Sequence, residues 1–314
     1  MHTSPRWSAL AIGIALVALS AGAHAEARYD AATRTFRLDG GEVTYAFGIN
    51  DKQQLQSAYW GGRVAAGDAL GPQKARSDHS SFDLSASITP SEYPAFGGGV
   101  FSEVALKSRT PQGVRDAVLT YQSHQLGKDS VEVRLRDIGS PLEVTLHYTI
   151  DPQTGIVGRW ASIHNAGSTP LTLDRAASAA WSLPVQDDYR LHYMTGRWAG
   201  EWQMQRQPVS EGATVLESRR NATGQQNTPW FAIDRDSRSN EDSGPVWFGT
   251  LAWSGSWQIS VARLQGGDVR VVGGYNPFDF AWPLAAGQTL DTPVMYAGYS
   301  NQGMGGASRL QHRF

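Results

Sequence analysis

The stretch Tyr193-Met194-Thr195-Gly196-Arg197-Trp198-Ala199-Gly200-Glu201-Trp202 sets two tryptophans four residues apart, with Arg197 and Glu201 beside them. A flat indole next to charged hydrogen-bonding groups suits a sugar, whose CH face is apolar and whose rim is hydroxyl. Gly196 and Gly200 can take backbone conformations closed to other residues, so a loop is expected here that turns both rings outward. The competing reading places Trp198 and Trp202 in a β-core with most of the eleven tryptophans, because buried aromatics are the norm.

Other chemistry is sparsely signalled. The chain has no cysteine, so metal ligands would have to be His and carboxylates, and no His pair has the i, i+4 spacing of a zinc helix. No metal site is expected. Gly97-Gly98-Gly99 lacks a phosphate-binding pattern, and no Gly-rich loop ends in Lys-Ser or Lys-Thr, so no cofactor is expected either. Ser254-Gly255-Ser256 is explained by a hairpin between flanking tryptophans rather than by a nucleophile elbow. Sugar hydrolysis needs two carboxylates. The acids nearest aromatics are Asp51, Asp188, Glu201 and Asp279; each reads as a turn or solvated strand residue before it reads as a catalytic group.

The elements that must position these residues are strands. Val131, Val133 and Leu135 alternate with Glu132, Arg134 and Arg136, and Leu142, Val144, Leu146, Tyr148 and Ile150 repeat the pattern. This is the period of two of strands with one face in a core. Val43–Phe47, Leu55–Trp60, Ala117–Tyr121, Ile156–Ile163, Leu171–Leu173, Ala176–Leu183, Arg190–Met194, Thr214–Leu216, Val269–Val272 and Pro293–Tyr299 read as further strands. Val246–Trp253 and Trp257–Leu264 read as the two arms of a hairpin. Gly67–Ser81 is a loop, and Met304–Phe314 alone reads as helical; a helix this short needs tertiary contacts to persist. The expected fold is all-β, a large antiparallel β-sandwich over 26–303, although two small sandwiches also satisfy the pattern.

Residues 1–25 are read as a secretory signal peptide: Arg6, an apolar run from Ala9 to Ala18, and the small-x-small site Ala23-His24-Ala25. The product is expected to be periplasmic or secreted and, without disulfides, to be held by a large core. A net charge of −2 with interspersed signs gives no basic patch for nucleic acid and no polybasic stretch for a membrane surface.

From about Phe47 onward, an ordered series of motifs is present: Trp60-Gly61-Gly62-Arg63, Ser91-Glu92-Tyr93-Pro94-Ala95-Phe96-Gly97, Tyr121-Gln122-Ser123-His124 with Gly127-Lys128, and Thr195-Gly196-Arg197-Trp198-Ala199. Glu217-Ser218-Arg219-Arg220, Asn276-Pro277-Phe278 with Phe280 and Trp282, Thr292-Pro293, and Ser308-Arg309 with His312 follow. The series resembles the N-terminal domain of family 36 glycoside hydrolases, the bacterial α-galactosidases. Two segments depart from it. Gly200, Glu201 and Trp202 stand where Arg-Glu-Arg is usual, and Asn221 and Gln225-Gln226-Asn227 stand where a Gly and a His are usual.

The resemblance implies a β-supersandwich of the galactose-mutarotase type that packs on a catalytic (β/α)8 barrel. It implies that Trp198 contributes to an α-galactoside site. It also implies that Asp51 and Arg63 reach the sugar site of a neighbouring subunit in a homo-oligomer. The family's nucleophile lies in a Lys-Trp-Asp motif, which does not occur here. The expectation is a non-catalytic domain, truncated or split from its barrel, with 304–314 starting a linker helix toward it. The rival readings are a free-standing carbohydrate-binding module using Trp198 and Trp202, and an independent sandwich-fold mutarotase or lyase.

Overall fold

The computed structural model describes residues 25–314; the expected signal peptide, Ala25 excepted, lies outside the described residues. No helix among them is long and apolar enough to cross a membrane. Strands β1 (Glu26–Asp30), β2 (Thr35–Gly40), β3 (Val43–Ile49) and β4 (Leu55–Gly62) pair in order as one sheet. A helical turn, α1 (Ser85–Ile88), and β5 (Leu106–Arg109) lead to a meander of β6 (Leu119–Leu126), β7 (Ser130–Asp137), β8 (Leu142–Ile150) and β9 (Val157–Asn165). Then come β10 (Leu171–Leu183), β11 (Tyr189–Arg197), β12 (Gly200–Pro208), β13 (Gly212–Ser218), β14 (Asn227–Arg235) and β15 (Val246–Leu251). β16 (Trp257–Arg263), β17 (Val269–Tyr275), β18 (Trp282–Leu284), β19 (Thr289–Asp291), β20 (Met295–Ser300) and α2 (Gly303–Arg313) follow.

A ten-stranded sheet runs β12-β11-β14-β15-β20-β9-β8-β7-β6, with β19 on β9. A six-stranded sheet runs β13-β16-β17-β10-β18, with β5 on β10. All three sheets contribute to one main apolar core, so the molecule is one antiparallel supersandwich and not two small ones. The alternation in β7 and β8 is realised: Val131, Val133, Val144, Leu146 and Tyr148 are buried while the residues between them are not.

Four local readings change, each for a physical reason. β3 is buried on both faces, because the loop spanning Gly67–Ser81 covers its outer side; the Gln73 side chain sits where a Cβ on Gly48 would be. The two runs Leu171–Leu173 and Ala176–Leu183 are one thirteen-residue strand, carried past Asp174 and Arg175 by a bulge against β5 and switching partners to β17. Val246–Trp253 and Trp257–Leu264 are not a hairpin. β15 lies between β14 and β20 in the large sheet, whereas β16 pairs with β13 and β17 in the other, so Ser254–Ser256 is a crossing between layers. A short turn between apolar runs cannot say whether they share a sheet. Finally, β12 and β14 were absent from the periodicity: β12 is the polar edge strand of the sheet, and β14 carries no clean alternation.

The tail is helical, as its sequence suggests, and has the contacts that a short helix needs. Gly305 and Gly306 leave no room for side chains against Glu241 and Ser300. Trp230 Nε1 donates to Gln311 Oε1 at 2.8 Å, and Tyr296 packs on Phe314 with ring centroids 4.9 Å apart.

At the centre of the sandwich is an ion pair. Arg159 of β9 meets Glu92 at 3.1 Å, with side chains 2% and 0% exposed. Tyr45 and Tyr148 hydroxyls donate to Glu92 at 2.8 and 3.0 Å, and Arg159 donates to the Ala180 carbonyl at 2.7 Å. The guanidinium also lies 4.7 Å from the Trp181 ring centroid. Burial pushes the Glu92 carboxyl up, and the Arg159 charge opposes that shift. Removing one partner leaves an uncompensated buried charge. Arg159→Met is expected to lower unfolding free energy by about 3–5 kcal/mol, read from the denaturant midpoint; a loss under about 1 kcal/mol would show that the pair is not a working part of the core.

Candidate functional site

The Tyr193–Trp202 segment is a β-hairpin, not a loop. β11 and β12 pair up to Arg197 opposite Gly200, leaving Trp198 and Ala199 at the tip. The glycines are not the residues that turn the chain. Left-handed backbone falls on Ala199 (φ 59°) and Trp202 (φ 51°), a conformation that favours glycine and strains a bulky residue. Gly196 is needed for another reason: a Cβ there would lie 2.7 Å from the Gln225 carbonyl oxygen and from the Glu201 Cα. Glu201 braces the turn by accepting the Ala199 N–H at 3.2 Å. Trp198 is 84% and Trp202 72% exposed, so neither belongs to the core.

The hairpin tip adjoins the β13–β14 connection, where Gly196 N donates to the Gln226 carbonyl at 3.1 Å. That connection is tied down at both ends. Trp257 Nε1 donates to Thr223 Oγ1 at 3.1 Å, and Asn276 Nδ2 donates to Glu217 Oε2 at 3.1 Å. Arg219 pairs with Glu217 at 2.7 Å and lays its guanidinium 3.9 Å from the Phe278 centroid. Two separate motifs, Glu-Ser-Arg-Arg and Asn-Pro-Phe, are therefore parts of one cluster. Trp253 meets Tyr275 edge-on at 5.0 Å, and Tyr275 stacks on Phe280. Exposed aromatic rings at Trp198, Trp253 and Phe278 thus lie on or beside these linked loops. The sequence signal for Phe278 was its place in a motif, whereas Trp253 stood in none; what was missing was the Glu217–Asn276 contact that joins the two motifs.

Asp51 is exposed in the β3–β4 turn. Its carboxylate accepts the Ala75 N–H at 2.8 Å, which holds its pKa below the usual range. Arg63 follows the far end of β4 and donates to the Gly41 carbonyl at 2.9 Å. Asp51 and Arg63 are thus at opposite ends of one hairpin, about 25 Å apart for eight strand residues. Arg63 is also remote from Trp198. Its neighbour Gly62 lies by Tyr299, which pairs with Trp247. Trp247 in turn faces Ile233, six residues along β14 from Asn227 at the hairpin end, or about 20 Å. The structure does not bring these three residues together within one copy.

The candidate acids do not form a catalytic pair. Asp188 is bound to Arg235, Glu201 braces the hairpin turn, and Asp279 sits in a left-handed turn. No group of three or more potential metal-ligating side chains occurs among the described residues. Two buried polar clusters escaped the sequence reading: Arg159–Glu92, and His192–Asp234 at 3.0 Å with Arg190 also on Asp234. Single charged residues inside apolar strands gave no sign of their partners.

A large antiparallel β-supersandwich is the class of domain that this fold defines. The glycosyl hydrolase family 36 N-terminal domain matches residues 53–285, and the chain belongs to that family. It is 30% identical over 310 residues to the α-galactosidase AgaA of Geobacillus stearothermophilus, covering 90% of this chain and 42% of that protein. Mel36A, an α-galactosidase of Lactobacillus acidophilus, is 28% identical over 313 residues. The crystal structure of AgaB from Geobacillus stearothermophilus superposes with a TM-score of 0.84 at 29% identity, covering 91% of this chain and 42% of AgaB. The chain thus spans about two fifths of the length of these relatives, which are full α-galactosidases.

Two outcomes test this site. Trp198→Ala should change stability by no more than about 0.5 kcal/mol, whereas Trp257→Ala, fully buried, should cost about 3–5 kcal/mol; urea melts compare them. Burial alone would raise the Glu217 carboxyl, but hydrogen bonds from Arg219, Asn276 and Gln258 outweigh it and the net shift is downward. A lowered folded pKa gives stability that is complete above the unfolded value, about 4.3, and is lost as pH falls through the folded value. Acid should therefore loosen the Arg219–Gln226 loop, read as faster amide exchange, and Glu217→Gln should remove that pH dependence.

Proposed function

We propose that this chain is the non-catalytic N-terminal domain of an exported α-galactosidase that hydrolyses terminal α-D-galactosides. It supplies Trp198 to the galactose site, and a (β/α)8 barrel outside this sequence supplies the acid and the nucleophile. The observation that carries the reading is the outward Trp198 on its braced hairpin tip, at the position where the family motif Gly-x-Trp-Ala places a sugar-contacting tryptophan. AgaA variants have been crystallised with raffinose and stachyose, which makes oligosaccharides of that kind the proposed substrates. Asp51 and Arg63 are assigned to the sugar site of a neighbouring copy in a homo-oligomer. Export rests on residues 1–25, and α2 is read as the start of the link to the barrel.

The experiment joins this whole chain to the remaining part of AgaA. The chain alone is expected to release no galactose from raffinose. A stray side chain gives acid–base help of about 10²–10⁴-fold, well short of the roughly 10⁶-fold or more typical of enzymes. The chimera should release galactose, and Trp198→Ala in it should impair turnover. Steady hydrolysis by the chain alone, abolished by changing one acid, would overturn the proposal, as would a chimera indifferent to Trp198→Ala.

A further inference from the structure

The turn that carries the chain from β15 to β16 leaves Trp253 38% exposed. Its indole borders an open hollow of about 700 Å³, lined by Ala222 and Thr223 on one side and by Ala252, Trp253 and Ser254 on the other. None of these five side chains is charged, so the hollow has no group to pair with an ionic ligand. Ala222, Ala252 and Ser254 are small and leave room for a flat ring to approach the indole. What the hollow offers is an aromatic surface beside neutral hydroxyl groups.

Both walls are held in place without a ligand. On one, the wholly buried Trp257 donates its Nε1–H to Thr223 Oγ1 at 3.1 Å. Ser218 Oγ donates to the Ala222 carbonyl at 2.5 Å, and the Asn221 N–H donates to Ser256 Oγ at 3.0 Å. Among the described residues the Thr223 hydroxyl accepts the Trp257 bond and donates none, so its hydrogen is free for a ligand oxygen. On the other wall, the Ala252 N–H donates to the Val294 carbonyl at 2.9 Å. The Trp253 ring meets Tyr275 edge-on at 5.0 Å. Tyr275 is itself fixed by its stack on Phe280 and by donating its hydroxyl to the Asp291 carbonyl at 3.1 Å. A Cβ on Gly255 would lie 2.7 Å from Trp253 Nε1, so only glycine lets the indole lie this close to the turn. An indole fixed in this way loses little side-chain freedom on binding, which favours affinity.

We propose that this hollow is a carbohydrate-binding site, in which Trp253 stacks on the CH face of a neutral sugar ring while Thr223 and Ser254 bond its hydroxyls. The lining chooses the ligand. A sugar ring has an apolar face that suits an indole and a rim that suits uncharged hydrogen-bonding groups, and the hollow holds these and no charge. The hollow is built by this chain alone, so the inference does not depend on the role given to Trp198 under Proposed function. It lies beside the hairpin tip nonetheless. The Ala222–Thr223 wall belongs to the connection whose Gln226 carbonyl accepts the Gly196 N–H, and the three residues from Thr223 to Gln226 span at most about 11 Å.

The test titrates the whole chain with raffinose and follows the tryptophan indole N–H signals by NMR, with Trp253→Ala and Trp198→Ala each removing one signal to assign it. The Trp253 signal is expected to shift and to saturate with a midpoint of about 1–10 mM. Ala222→Glu fills the hollow from the opposite wall and leaves the indole in place; it should raise that midpoint by about tenfold or more. Ser254→Ala, which removes one hydroxyl, should raise it by about threefold. Both positions are exposed, and urea melts check that these variants fold as the parent does. A Trp253 signal that stays still across the millimolar range overturns the site, as does one that shifts equally with glycerol or a midpoint indifferent to Ala222→Glu. Movement of the Trp198 signal alone supports the role given to Trp198 and overturns the hollow. Movement of the Trp253 signal alone sustains the hollow and leaves Trp198 to the chimera.

Discussion

The fold depends on a charge that cannot be left alone. Arg159 is fully enclosed, and its partners come from every layer: Tyr45 from the four-stranded sheet, Tyr148 from its own ten-stranded sheet, and the Ala180 carbonyl and Trp181 from the six-stranded sheet. Glu92 enters from the connection between β4 and β5. An ion removed from water costs several kcal/mol, recovered only when the geometry and the remaining hydrogen bonds are complete. That condition holds only if the three sheets stack in one register. Burial works against the Arg159 charge, but Glu92 and the two phenols outweigh it and push its pKa up, so the guanidinium stays charged and the requirement is permanent. The motif Ser-Glu-Tyr-Pro is thereby accounted for. Glu92 holds the centre, and Tyr93 donates its hydroxyl to the Ala177 carbonyl at 2.8 Å.

A core fixed in this way can carry strain at its edge. The hairpin tip keeps two non-glycine residues in left-handed backbone, Ala199 and Trp202, each at a cost of about 1–2 kcal/mol. Neither residue gains burial in return. What the tip gains is direction: the Ala199 N–H is held by Glu201, Gly196 lets the β13–β14 connection close against the hairpin, and the indoles are left facing solvent. Strain that persists without a packing reason accords with a functional role. The departures from the family pattern fall in these same few residues. Gly200 and Trp202 stand where basic side chains are usual in the motif series that the chain resembles, and Gln225 and Gln226 stand beside them. The scaffold is therefore the family's own, while the groups at the exposed aromatic end depart from the motif series.

The linked loops also show how separate motifs become one feature. Glu217 and Asn276 are 59 residues apart and in contact. Arg219 is oriented by Glu217 and covers Phe278. Trp257, wholly buried, sends its only polar atom to Thr223 and so anchors an exposed loop to the core. Through such contacts the exposed aromatic end is tied to the buried centre, in a chain that has no cysteine for a disulfide.

The sequence by itself determined the fold class and most strands, because one-sided burial imposes a period of two and because the motif series is ordered along the chain; the hairpin at Tyr193–Trp202 it left as a loop. It also contained Trp198 as a candidate, with a sugar platform and a core position as rival meanings. Only the tertiary structure took Trp198 out of the core, since exposure is a property of neighbours and not of residue type. It alone joined Leu171–Leu183 into one strand and sent β15 and β16 to different sheets, because strand pairing is fixed by long-range register and local turns are silent about it. It alone paired Arg159 with Glu92, 67 residues apart, and placed Asp51 and Arg63 at opposite ends of a hairpin. A lone charge in an apolar strand does not name its partner; only the packed layers do.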